Sequence, residues 1–111
     1  MISEHEAINN LNSMDFRLWK FTATHDRLTI ALNANGSGDK LVFFFCDSLH
    51  IGKVNKISDA KLIKNSETLI FKAIGIEIEC QEIHRISEDN ISIWCMNFLK
   101  GGEFTCRKLD F

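Results

Sequence analysis

The chain has 111 residues, 45% of them apolar and 25% charged, and a formal net charge of −2. That length suits a single domain, residues 1–111, able to build a core without staples, and the composition argues against disorder. There is no basic excess to hold a phosphate backbone, which argues against nucleic-acid binding, and no apolar run approaches the roughly 18 residues of a membrane span.

The chain opens on Ser3-Glu4-His5-Glu6, the Ser-x-x-Glu spacing of a helix capping box. Ala7, Ile8, Leu11 and Met14 follow on one helical face, predicting a short amphipathic helix over 4–14 that must dock on something. Met1 to Glu6 is acidic and lacks the basic-then-apolar order of a signal peptide, so a cytoplasmic location is expected.

After Asp15 the apolar period drops from about four to two. Trp19, Phe21 and Ala23 alternate with Leu18, Lys20, Thr22 and Thr24. His25-Asp26 marks a turn, and Leu28, Ile30 and Leu32 then alternate with Arg27, Thr29, Ala31 and Asn33 as in a half-buried strand. Asn33 to Asp39, with Asn35-Gly36 inside it, is the strongest loop signal. Leu41 to Cys46 is apolar on both faces, which places it centrally in a sheet.

Asp47 to Gly52 reads as a loop, and Ile57, Ala60, Leu62 and Ile63 as a weak strand. Lys64 to Glu67 reads as a turn. From Leu69 to Ile83 the chain is extended, with a parity change near Gly75 that suggests a bulge or bend. Ile91, Ile93 and Cys95 begin another strand, Gly101-Gly102 supplies a turn, and Glu103 to Leu109 returns. Short Gly-rich connections imply antiparallel neighbours. The expected fold is α+β and predominantly β. One short N-terminal helix packs on a twisted antiparallel sheet, or a partly open barrel, of six to seven strands.

Four cysteines, at 46, 80, 95 and 106, form no Cys-x-x-Cys pair and are expected as reduced, buried thiols. The four histidines are scattered with none at i+3 or i+4 from another, so no metal site or cofactor is expected. Catalysis needs a nucleophile or an acid–base pair held within reach. The nearest candidates, His25-Asp26, Asp47 with His50, and His84-Arg85, complete no such set, and the chain is read as a non-enzyme.

The most suggestive surface feature lies beyond Gly75. Glu77, Glu79 and Gln81 alternate with Ile76, Ile78 and Cys80, and Glu82, Glu88 and Asp89 add acid nearby. Such a stripe is either a solvated sheet face or a docking surface for a basic partner. Trp19 and Trp94 are core anchors by default. An exposed Trp94 beside Met96 and Phe98 would instead join the partner-facing set.

The helix, the segment Leu18-Trp19-Lys20 and the run Thr24 to Leu32, followed by the aromatic strand ending at Cys46, together resemble small bacterial immunity proteins. These accompany polymorphic toxins and contact-dependent growth inhibition systems. The abundance of Ile, Asn, Lys and Phe fits an AT-rich bacterial genome. The resemblance implies a cytoplasmic protein that binds one cognate toxin domain, in many cases a basic one, and blocks its active site; a monomer or weak homodimer is expected. The rival readings are a ligand-binding β-barrel with a cavity lined by Phe43, Phe45 and Phe71, a small enzyme using His50 or His84, and a homo-oligomeric structural protein.

Overall fold

Ser3 caps helix α1, Glu4–Asn9. Its hydroxyl accepts the Glu6 N–H at 3.1 Å and donates to the Glu6 carboxylate at 3.4 Å. The capping box therefore closes between side chains. The helix is shorter than the expected 4–14. Past Asn9 the backbone tightens to i→i−3 bonds, Leu11 to Ile8 and Asn12 to Asn9, and Ser13 turns left-handed at φ 73°. Asparagine competes with the helix for its own backbone, and here the Asn12 side chain accepts the Ala60 N–H at 2.9 Å. Ala7, Ile8 and Leu11 are buried as the helical face requires.

The computed structural model describes residues 3–22, 27–33, 38–65, 67–97 and 103–105, with side chains for all of these but 19–22, 33 and 103–105. The turns expected at His25-Asp26 and Gly101-Gly102, the Asn35-Gly36 loop centre, the Trp19 side chain and Cys106 lie outside those bounds. Cys46, Cys80 and Cys95 are free thiols. No helix is long and apolar enough to cross a membrane among the described residues.

The fold is α+β and mainly β, with antiparallel sheets as expected, but ten strands form among the described residues against the six or seven expected. Six make one sheet in the order β1-β2-β3-β8-β9-β10. They are β1 (Asp15–Thr22), β2 (Arg27–Asn33), β3 (Lys40–Phe44), β8 (Glu82–Ile86), β9 (Ser92–Asn97) and β10 (Glu103–Thr105). Four make a second sheet, β4-β7-β6-β5: β4 (Ser48–Ile51), β5 (Lys61–Asn65), β6 (Thr68–Ala73) and β7 (Ile76–Cys80). Among the described residues neither sheet closes into a barrel.

Three expectations change here. The Asp47–Gly52 loop contains strand β4. The long extended run from Leu69 to Ile83 is three strands. Of the bulge or bend expected at Gly75 the bulge is absent and the bend is a full reversal: Ala73 pairs with Ile76, and Ile74-Gly75 is a two-residue hairpin turn with Gly75 at φ 77°. A tight reversal changes parity as a bulge does, because residues 73 and 76 face each other on one side of the sheet.

A bent ladder joins the sheets. β3 runs into β4 and β7 into β8, so one antiparallel pair leaves the first sheet and enters the second. Three residues, Phe45 to Asp47, oppose two, Cys80 and Gln81. Bonds from Gln81 N–H to the Phe44 carbonyl (3.1 Å) and from Asp47 N–H to the Glu79 carbonyl (2.8 Å) hold the corner. This is how strands change sheets in packed β structures.

The inner faces share one core. Leu28, Ile30, Leu41, Phe43, Ile83, Trp94 and Met96 enter from the first sheet, and Leu69, Phe71, Ile76, Ile78 and Cys80 from the second. Phe43 and Phe71 meet across it with ring centroids 5.5 Å apart. Each such aromatic contributes about 1.5–3 kcal/mol by burial. The central placement of Leu41 to Phe44 is observed: β3 is third of six, with Leu41, Val42 and Phe43 all buried.

Candidate functional site

The acidic stripe folds as its alternation requires, but it is not a bare row of charge. Ile76, Ile78 and Cys80 point inward, while Glu77 is exposed and Glu79 half-buried. Lys72 pairs with Glu77 across the β6–β7 ladder at 3.7 Å. Thr68 donates its hydroxyl to Glu79 at 2.6 Å. Gln81 sits in the corner. Glu82 lies beyond it on β8, 3.1 Å from His84. Glu88 and Asp89 are exposed in the β8–β9 connection, where Glu88 lines a groove of about 610 Å³ with Arg17, Asp39 and Lys40. The residues therefore occupy three separate places. Trp94 is fully buried, so it anchors the core and does not belong to a partner-facing set.

Exposed apolar side chains also lie at the corner and on β4. Phe45 is 52% exposed and Leu49 38%. Phe45 also holds φ 56°, a conformation costly for a bulky side chain. Among the described residues no strand pairs with the far side of β4. Gly52 N–H bonds the Gly75 carbonyl at 2.7 Å, which makes Ser48, His50 and Gly52 the inward-bonded positions. Alternation then aims the N–H and C=O groups of Leu49 and Ile51 outward. Asp47, Glu77 and Glu79 border this edge, with Ser48 opposite Glu79 and His50 opposite Glu77.

The second concentration of chemistry lies on the face of the six-stranded sheet opposite the core. Val42, His84 and Cys95 stand in one cross-strand row; they are 3%, 2% and 1% exposed and take no part in the core cluster. His84 Nε2 lies 3.1 Å from Glu82 Oε1 and 3.7 Å from Cys95 Sγ. The Phe44 ring meets the imidazole edge-on at 4.8 Å. A thiol–imidazole–carboxylate relay uses both ring nitrogens, one for the nucleophile and one for the orienting acid. Here sulfur and carboxylate converge on the same nitrogen, so the arrangement is not that relay. Three donors gathered about one point are instead what a metal ion takes.

Histidine spacings of i+3 and i+4, which belong to helices, do not reveal this cluster. The usable signal was Glu82-x-His84, two polar residues on one face of a strand. Cys95 joins only through the register that sets His84 opposite it.

The remaining candidates stay apart. Asp47 and His50 are both exposed. Arg85 turns away from His84 and binds Asp39 through Nε (3.1 Å) and Nη2 (2.9 Å). Phe43 and Phe71 pack on each other while Phe45 is exposed, so these three do not line one cavity. No family model, no curated protein and no solved structure matches this chain.

Proposed function

We propose that this chain is a non-enzymatic binding module whose partner is a protein. In the specific form of that reading it is an immunity protein, acting in the bacterial cytoplasm, that covers the active site of a basic toxin domain. The observation that carries the reading is the open edge of β4, with exposed Phe45 and Leu49 along it and acid beside it. Main-chain groups of Leu49 and Ile51 can add a strand from the partner, the two apolar side chains supply anchors, and Asp47, Glu77 and Glu79 form a polar rim that favours a basic surface. Occlusion needs no catalytic group, only a fit that keeps substrate out.

The test is co-expression with the protein encoded in the adjacent reading frame, with growth rescue and affinity as readouts. Wild type should protect. Phe45→Asp and Leu49→Pro should each weaken binding at least about thirtyfold, the loss of a hot spot. Leu49→Pro removes an outward N–H on the side of β4 that no described strand pairs with, so it should leave the sheet intact. Glu77→Lys/Glu79→Lys should lower affinity and flatten its salt dependence. Full protection by both edge variants would overturn the docking edge, and unchanged salt dependence in the charge reversal would remove the acidic rim.

A further inference from the structure

We infer that Glu82, His84 and Cys95 form a site for a single zinc-like divalent cation, held on the face of the six-stranded sheet opposite the core. Four features of the cluster carry this. The first is distance. With zinc bonds of about 2.0–2.3 Å in tetrahedral geometry, a carboxylate oxygen and an imidazole nitrogen sit about 3.3 Å apart, and nitrogen and thiolate sulfur about 3.6 Å apart. The chain holds them at 3.1 and 3.7 Å. The three donor atoms fall within 4.8 Å of one another, so the carboxylate and the thiolate, about 3.5 Å apart around a tetrahedral zinc, must draw together as the ion binds.

The second is valence. One imidazole nitrogen carries either one proton or one lone pair. Oε1 and Sγ both address His84 Nε2, and a single hydrogen serves both only by being shared. A cation at the centre of the three atoms serves all of them at once.

The third is charge. The thiol must ionise to bind, releasing its proton to solvent. Glutamate and thiolate then bring two negative charges and the imidazole none, so a divalent ion leaves the buried cluster neutral, as a low-dielectric site requires. The fourth is donor type and rigidity. Sulfur and imidazole disfavour magnesium and calcium, which take oxygen cages, and suit zinc. The ligands come from two paired interior strands, β8 and β9, with the imidazole braced by Phe44. Sheet register sets His84 beside Cys95 before the ion arrives, and the Glu82 side chain closes on the ion to complete the set. Three protein donors leave a fourth position for water or another ligand.

Cobalt(II) and zinc(II) are the probes, added singly to chelator-treated, reduced full-length protein. One equivalent of cobalt should bring a thiolate-to-metal charge-transfer band in the near ultraviolet and tetrahedral bands in the visible. Zinc should displace both and raise Tm by at least about 5 °C. Cys95→Ser should abolish the charge-transfer band, while Cys46→Ser should keep it. Glu82→Gln should weaken zinc binding at least about tenfold, the loss that even an outer-shell partner costs. If wild type shows no charge-transfer band with stoichiometric cobalt, the inference falls without reference to any variant. It falls equally if folded Cys95→Ser retains the band.

Discussion

A Cβ placed on Gly75 would lie 2.7 Å from Cγ1 of Val54, so the reversal between β6 and β7 is closed to any other residue on two counts. The side chain would strike Val54, and the φ of 77° disfavours any L residue. Gly75→Ala should cost about 2–4 kcal/mol in urea unfolding, the sum of a left-handed alanine and an overpacked contact. Val54→Ala in that background should restore the steric part and leave about 1–2 kcal/mol behind. Strict additivity of the two substitutions would show that they do not meet.

Phe45 carries the opposite imbalance. Its ring is half exposed, and its backbone is left-handed. Phe45→Gly relieves that conformation, a gain partly offset by the greater freedom of glycine in the unfolded chain. The variant should be as stable as wild type or more stable by up to about 1 kcal/mol, while it loses partner binding. Strain kept at an exposed aromatic corner is expected where the corner has a use. A clear destabilisation would show that the ring braces the corner.

Much of this fold is legible in single strands. Ser3 and Glu6 announce the helix, the alternation of Leu28, Ile30 and Leu32 announces β2, and the run from Leu41 announces a central strand. What is hidden depends on pairing. Ser48 to Ile51 is an edge strand with little burial to stamp a pattern on it, so it reads as loop. Gly75 signals a parity change, yet a bulge and a two-residue reversal produce the same signal, and Ile74 is not a residue that marks turns. Strand β9 is buried on both sides, with Trp94 and Met96 toward the core and Cys95 on the other face. Alternation there could not tell which way Trp94 points. The Glu82–His84–Cys95 cluster is invisible for the same reason, because it exists only through the register between two strands.

Asp39 and Arg85 form the most buried ion pair with a formal cation among the described residues, with side chains 10% and 13% exposed. Both guanidinium contacts land on one carboxylate oxygen. Asp39→Ala leaves the arginine charge without that partner and should cost about 3–5 kcal/mol. Arg85→Met in the same chain keeps an apolar stem and removes the stranded charge. The double variant should therefore recover most of the loss. A double variant as unstable as the sum of the singles would mean that the pair contributes through packing alone.

Cys80 sits fully buried at the end of β7, and burial, reinforced by the nearby Cys46 thiol and the Glu79 and Glu82 carboxylates, pushes its thiol well above the ordinary value. Two consequences follow. Alkylation of the native protein should leave Cys80 unmodified while half-buried Cys46 reacts, because the thiolate is the reactive form. Stability should also fall in alkali. Below the unfolded thiol's value of about 8.5 both states hold the proton, and the full contribution of the neutral buried thiol is present. Above it the unfolded chain releases a proton that the folded chain keeps, so the unfolding free energy drops by up to about 1.4 kcal/mol per pH unit. The loss continues as pH climbs toward the raised folded value. Cys80→Ala should flatten this alkaline slope, measured as urea unfolding between pH of about 8 and 10. An identical slope in wild type and variant would assign the alkaline loss to other groups.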